Sequence, residues 1–345
     1  MKRSGLLVLI AAGTLAGEPP SPSLLHPDES HLRNLRQLTF GGENAEAYWS
    51  PDGRSLVFQS SREGVPCDQE FVMDVETGTT RLVSTGKGKT TCGYFLDHGR
   101  RVLYASTHLD SPDCPSRPDY SKGYVWPMYA GYDIFRAGLD GSDIRRLTST
   151  PGYDAEATVS PNGKTIVFTS QRDGDLEVYT MDTKGGRVKR LTHEPGYDGG
   201  AFFSADGKRI VYRRDAPADE AALGRYRDLL KDGLYSPGIL ELWVMDSDGR
   251  RKRQVTRLGV ASFAPFFHPD GKRIIFASNH PDARSRNFDL YLIRDDGSGL
   301  ERVTSDPAFD GFPMFSPDGK RLVFASNRGG KARGETNLFV ADWVE

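Results

Sequence analysis

Three sets of side chains stand at corresponding places along this sequence, and each could do chemistry. The first holds Glu46, Cys92, Glu156, Gly200, Ala264 and Phe312, each four residues before a turn serine or its equivalent. Glu46 and Glu156 could act as a carboxylate pair in acid–base work, or could equally bond backbone N–H groups of neighbouring loops. The second set is basic: Arg62, His108, Arg172, His280 and Arg328, with Arg214 near the equivalent place. A cationic ring of this kind at a channel mouth would suit an anionic ligand. The plainer reading pairs each base, within its own repeat, with the third set: Gln69, Asp133, Glu177, Glu241, Asp289 and Asn337. Exposed pairs of that sort contribute only about 0–1 kcal/mol each.

Cysteine offers a further chemistry. Cys67, Cys92 and Cys114 are odd in number, so at most one disulfide forms within the chain. With His108 they would supply four zinc ligands. In an exported chain a disulfide is the expected outcome instead, joining Cys92 to Cys67 or Cys114 and leaving one thiol free. No metal and no cofactor is expected. Asp246-Ser247-Asp248-Gly249 and Asp295-Asp296-Gly297 lack the glutamate of a calcium loop and read as turns. No nucleophile elbow, zinc-protease pair or phosphate-binding glycine loop occurs.

The elements that position these residues repeat. Phe315-Ser316-Pro317-Asp318-Gly319 leads into Leu322-Val323-Phe324, and the same apolar strand, tight turn and apolar strand recur. Copies begin at Trp49, Val159, Phe203 and Phe267, with a degenerate one at Phe95. The turn glycines fall at 53, 99, 163, 207, 271 and 319, spaced 46, 64, 44, 64 and 48 residues apart. About 45 residues and four strands make one propeller blade. The spacing therefore predicts an all-β fold, a six-bladed β-propeller of four-stranded antiparallel blades over residues 35–345. The last copy stops after its third strand, while an orphan strand, Leu35 to Thr39, precedes the first. The N-terminal strand is expected to complete the last blade and so remove the open edges of the array.

The two long intervals carry insertions at 107–132 and 215–238, both between second and third strands and so on one face. The first is rich in Pro and aromatics, among them Tyr124, Trp126 and Tyr129. The second spaces Leu223, Tyr226, Leu229 and Leu230 as an amphipathic helix, with Gly233 at its C-terminal end. Trp126, Tyr124, Tyr129, Tyr226 and Leu230 are the expected partner-binding residues. The channel-mouth candidates are Glu46, Glu156, Arg62, His108, Arg172, His280 and Arg328.

Lys2 and Arg3 precede the apolar run Leu6 to Ala12, with Ala16 and Gly17 after it. Residues 1–17 read as a secretory signal peptide, and Glu18 stands where a lipid-anchored chain would have Cys. Residues 18–34 read as a linker. The net charge of −2 supplies no field to steer nucleic acid, and no later apolar run is long enough to span a membrane.

Arg146-Leu147-Thr148, Asp154, Ser160 to Phe168, Arg172 and Tyr179-Thr180-Met181-Asp182 together resemble the TolB-like, WD-repeat-like β-propeller repeat. The resemblance runs from about Leu35 to Glu345. The TolB family adds an α/β domain ahead of the propeller, and none is expected between the signal peptide and Leu35. The resemblance implies a periplasmic propeller that binds a protein or peptide of the cell envelope at its loop face or channel mouth, and the chain is expected to be a periplasmic or secreted, monomeric, non-catalytic module. The competing readings are a propeller enzyme, of polysaccharide lyase or glycoside hydrolase type, and a carbohydrate-binding module at the same face.

Overall fold

The computed structural model describes residues 24–62 and 64–345, so the expected signal peptide lies outside the described residues. The chain is a six-bladed β-propeller of four-stranded antiparallel sheets. The innermost strands are Glu43–Trp49, Thr90–Leu96, Asp154–Val159, Tyr197–Phe203, Ser262–Phe267 and Asp310–Phe315 for blades one to six. Each runs through a Ser-Pro-Asp-Gly turn, or its variant, into a second strand. In blade three, Ser160 Oγ accepts from the Thr165 backbone N–H at 3.0 Å and donates to Asn162 at 2.8 Å. Gly163 takes the left-handed φ (+69°) that the turn requires.

The apolar triplets of the second strands form the core between blades. Their third members, Phe58, Tyr104, Phe168, Tyr212, Phe276 and Phe324, are all fully buried. In five blades this ring packs on its cross-strand aromatic, Phe71, Phe135, Tyr179, Tyr291 or Phe339, with centroids 5.8–6.1 Å apart. Cross-strand aromatic pairs of this kind hold a sheet's register.

The outermost strands are only two or three residues long in blades one to five. A hydroxyl ends each of them. Thr148, Thr192, Thr256 and Thr304 accept the backbone N–H of Ile134, Val178, Leu242 and Leu290 in the third strand, at 2.8–2.9 Å. Ser84 does the same for Glu70 at 3.0 Å. This accounts for the recurring Arg-x-Leu-Thr motif.

Blade six is completed from the other end of the chain. Leu32–Gln37 pairs antiparallel with Asn337–Trp343, and Thr39 Oγ1 accepts the Leu338 N–H at 2.8 Å, the sixth use of the same device. The strand starts three residues ahead of the expected Leu35. The segment before it is packed against the propeller over residues 24–31, within the stretch read as a linker. Glu29, 1% exposed, accepts from both terminal nitrogens of Arg328 at 2.9–3.0 Å, and Arg328 also holds Asp310 at 2.7 Å. Burial acts to raise the Glu29 carboxyl, but the Arg328 pairing outweighs it and holds the group below its ordinary value.

Removing Glu29 leaves the buried Arg328 with Asp310 alone and takes away two charge-assisted hydrogen bonds, at a cost of about 2–4 kcal/mol. Glu29→Ala should lower stability by that amount in denaturant unfolding. Asn34→Ala, which loses one exposed bond to Asp342, should cost less than about 1 kcal/mol. Equal midpoints for the two variants would remove residues 24–31 from ring closure.

Candidate functional site: the channel mouth and its lid

Every innermost strand carries a β-bulge at the same place. The registers shift between Ala45 and Tyr48, Thr91 and Tyr94, Ala155 and Thr158, Gly199 and Phe202, Phe263 and Phe266, and Gly311 and Met314. The residue at each bulge is Glu46, Cys92, Glu156, Gly200, Ala264 or Phe312, and all six have φ between +49° and +58°. Only glycine adopts that conformation at no steric cost. The bulge re-aims these residues toward the propeller axis, and all six line one small well of about 30 Å³ at the channel mouth. Two residues further along, Tyr48, Tyr94 and Phe202 pack within 5.4–6.1 Å of one another, and Phe266 lies 5.7 Å from Phe202. These aromatics form the floor.

The wall is polar on one side and apolar on the other. Glu156 is fully engaged. It accepts from Tyr197 Oη (2.8 Å), Thr169 Oγ1 (2.6 Å) and the Gly200 N–H (3.0 Å), and it pairs with Arg213. Of its two weighed roles, bonding backbone and neighbouring groups is the one the geometry displays. Glu46 faces the well with Cys92 as its hydrogen-bond partner. Burial, above the opposing effect of that bond, pushes the Glu46 carboxyl up to about 7. Burial also pushes the Cys92 thiol well above its usual range, so it stays protonated. Ala264 and Phe312 make the apolar wall, with Phe263 beside Phe312 at 5.4 Å.

Arg213 was not among the sequence candidates, which named its neighbour Arg214. It is 7% exposed and follows the buried aromatic of its second strand. The equivalent residues elsewhere are Gln59, Ala105, Thr169, Ala277 and Ala325. An arginine in a small or neutral column is the signal that could have found it.

The basic column does not reach this well. Arg172 pairs with Asp154, Arg214 with Asp198 and Arg328 with Asp310, while Arg62 bonds Asn44. Each of these partners lies on the first strand of its own blade. Where the base is histidine, the first-strand residue is Thr90 or Ser262. His108 instead bonds Ser106 at 2.8 Å and rests on Phe135, and His280 packs on Tyr291. The cationic ring is therefore replaced by within-blade contacts. The acidic partner also differs from the expected third-strand set: Asp133, Glu177 and Asp289 bind Arg146, Arg190 and Arg302 of the fourth strands. Hairpin proximity alone could not tell these two acidic columns apart.

The two insertions interlock. Trp126–Pro127 pairs with Leu234–Tyr235 as a short antiparallel ribbon. The helix Glu220–Lys231, capped by Asp219 accepting from the Ala222 N–H at 2.7 Å, follows from blade four. Tyr226 donates to Asp175 in the blade-three loop, and Tyr235 donates to Asp215 at 2.8 Å. Trp126 stacks over the Arg213 guanidinium at 5.1 Å. The ribbon thus forms a lid resting on the arginine that closes one side of the well. Leu230 is buried and Tyr226 is bonded inward, so these two expected partner contacts hold the lid in place instead. Tyr129 is partly buried and donates to the Ser116 carbonyl at 2.8 Å. Tyr124 is 69% exposed and accepts from Trp126 Nε1 at 3.0 Å.

The disulfide joins Cys67 to Cys114, across 47 residues, and Cys92 is the free thiol. The expected bond through Cys92 is thereby corrected. The bulge turns Cys92 into the channel, whereas Cys114 in the first insertion meets Cys67 at the start of blade one's third strand. The bond ties the first insertion to blade one. Among the described residues no group of three or more His, Cys, Asp or Glu could hold a metal ion.

Residues 234–334 match the family model of the TolB beta propeller domain, and residues 116–236 that of the Tricorn protease N-terminal beta propeller domain. Over these residues the chain is similar to the TolB beta propeller domain, and each match covers about a third of its length. It is 30% identical to the Tol-Pal system protein TolB of Bordetella pertussis over 131 residues, 38% of this chain, and that match spans a quarter of the relative's length. The crystal structure of TolB from Acinetobacter baumannii superposes at a TM-score of 0.56 and 21% identity, over 77% of this chain and 55% of that one. An oligogalacturonate lyase in complex with manganese gives 0.52 at 16% identity, over 90% and 93% of the two chains. Likenesses at these identities establish the fold alone. Among the described residues no helix is long and apolar enough to cross a membrane.

Two expectations follow. Glu46 is raised from 4.5 to about 7 in the folded chain. Its contribution to stability is therefore full below pH 4.5 and is lost as pH rises through 7. Glu46→Gln should not suffer that loss, gaining on the wild type by up to about 3 kcal/mol above pH 7 in denaturant unfolding. A gap that does not change with pH would place Glu46 outside the desolvated well. Intact-mass analysis after alkylation should find one reactive thiol in denatured, unreduced protein and all three after reduction, with Cys92 the one labelled first.

Proposed function

We propose that this propeller is a non-catalytic binding module for a protein or peptide of the cell envelope, which docks over the lid and channel mouth. The observation that carries the reading is the lid. Ordering insertions of this length costs roughly 1–2 kcal/mol per residue in backbone entropy. Ribbon, stacking, helix cap and disulfide offset that cost while leaving Tyr120, Tyr124 and Leu109 57–69% exposed. Exposed aromatics beside a rigid concave site have the character of interface anchors. The opposite face carries short turns that strand connection alone explains. The Tol-Pal system named for the relatives, together with the signal-like residues 1–17, supports a periplasmic or secreted setting.

Catalysis at the mouth is the weaker reading. The carboxylate pair it would use has lost Glu156 to Arg213, Tyr197 and Thr169. The likeness to an oligogalacturonate lyase concerns the fold. Carbohydrate binding would call on the same exposed aromatics and is separated by experiment.

Tyr120→Ala/Tyr124→Ala should weaken capture of the partner from a periplasmic extract by about 1–3 kcal/mol, the range of ordinary hot spots, with Tm unchanged. Leu230→Ala should instead lower stability by about 2–5 kcal/mol, because it empties a buried site under the lid. Turnover of labelled oligogalacturonide or cell-wall fragments by the wild type, absent in the tyrosine variant, would overturn the binding-module reading in favour of an enzyme.

A further inference from the structure

We infer that the channel well is a site for a primary ammonium group, a lysine side chain or amino terminus that the bound partner inserts between Glu46 and the aromatic wall. This rests on the binding-module reading and names the chemistry of its deepest contact.

The charges around the well can be assigned one by one. Arg213 (blade four) is neutralised by Glu156 (blade three) through a buried pair and is covered by Trp126. Cys92 (blade two) stays a neutral thiol. On blade one, Asp68 is bound by Lys89, and burial pushes Glu70 well above its ordinary value, which favours its neutral form. Glu46 remains as the carboxylate in the well that makes no ion pair among the described residues, while Arg213, already paired with Glu156, acts on it only through its field. Its one hydrogen-bond neighbour, Cys92, leaves most of its acceptor capacity open. Ligand charge in the well is therefore set against Glu46.

Size and lining narrow the cation. The well's volume of about 30 Å³ holds one or two water-sized groups, so it admits an ammonium head and leaves little room for the planar fork of a guanidinium. Calcium seeks six to eight oxygen ligands, and the well offers one open carboxylate. Tyr48 and Phe312 line the same space as Glu46, and their ring faces would attract a cation that has shed its water. An ammonium would also find a Thr158 hydroxyl on the wall, although that hydroxyl is already donating to the Ala201 carbonyl at 2.6 Å.

The test uses the full chain with its glutamates carbon-13 labelled at the carboxyl, and n-butylammonium chloride as the probe. At a pH of about 8, where Glu46 is charged, the Glu46 resonance should shift saturably. Its titration midpoint should fall in the presence of the probe. n-Butanol at the same concentrations should do neither, and Glu46→Gln should weaken probe binding about tenfold or more, as read by calorimetry. No saturable shift in the wild type overturns the inference whatever the variant does. So does an equal response to butanol, or calcium chloride displacing the probe at equimolar concentration. A lid-dependent partner whose affinity is unmoved by Glu46→Gln also overturns it, yet leaves the binding-module reading standing. Saturable probe binding in a protein for which no macromolecular partner needs the lid would support the site and count against that reading.

Discussion

The rest of the structure depends on closing the ring. Each blade is a wedge whose aromatic core is shared with its neighbours, so an unfinished sixth blade would expose the third strand Asn337–Trp343 and unpack Phe339 from beneath it. Closure relies on a hydroxyl that the chain already uses in every other blade. Thr39 captures the Leu338 N–H just as Thr148 or Thr304 captures its own third strand. Because this strand comes from the far end of the sequence, its pairing carries a loop-closure cost that local hairpins do not. The Glu29–Arg328–Asp310 cluster reinforces it from the insertion-bearing face. That cluster adds specificity of register more surely than net energy, since buried ion pairs often do little better than apolar substitutes.

With the ring closed, the bulges decide where chemistry can occur. Six left-handed residues converge on one axis, which forces six non-equivalent side chains into a space the size of a water or two. In such a space neither solvent nor distance separates the charges, so each carboxylate must find its own settlement. Glu156 does so with Arg213 and three hydrogen bonds, and Glu46 does so by holding its proton to about pH 7. The left-handed conformation repeats in all six blades and so belongs to the architecture. What differs from blade to blade is the side chain placed there, and that is where specificity can be written.

The fold was legible because its signals are local and repeated. The Ser-Pro-Asp-Gly turn, the apolar triplet and the Arg-x-Leu-Thr ending each act within a few residues, and six copies average out a degenerate one such as Leu96-Asp97-His98-Gly99. The well's membership was legible for the same reason, as a column of equivalent positions. Partners were not. Arg172 lies within reach of Asp154 on one neighbouring strand and of Glu177 on the other, and only backbone twist decides between them. The cysteines failed for a related cause: Cys92 sits on a bulge whose direction depends on an αL residue that sequence does not mark when the residue is cysteine. Tyr226 and Leu230 fall on one helix, Glu220–Lys231, as their spacing predicts. Whether they meet a partner or their own lid depends on the ribbon between Trp126 and Tyr235, a contact over more than a hundred residues.

The placement of the two insertions is itself informative. They leave blades two and four, with blade three between them carrying only a short loop, Gln171 to Leu176. Insertions on adjacent blades would crowd each other, and insertions on opposite blades would have to cross the channel to meet. Separated by one blade, they pair over it, and the short loop beneath supplies Asp175 to receive Tyr226. The lid therefore rests over blades three and four, and Ala264 and Phe312 of blades five and six form the apolar wall of the well. A well of about 30 Å³ favours a single extended tip over a flat or globular surface, because only the former can reach its floor.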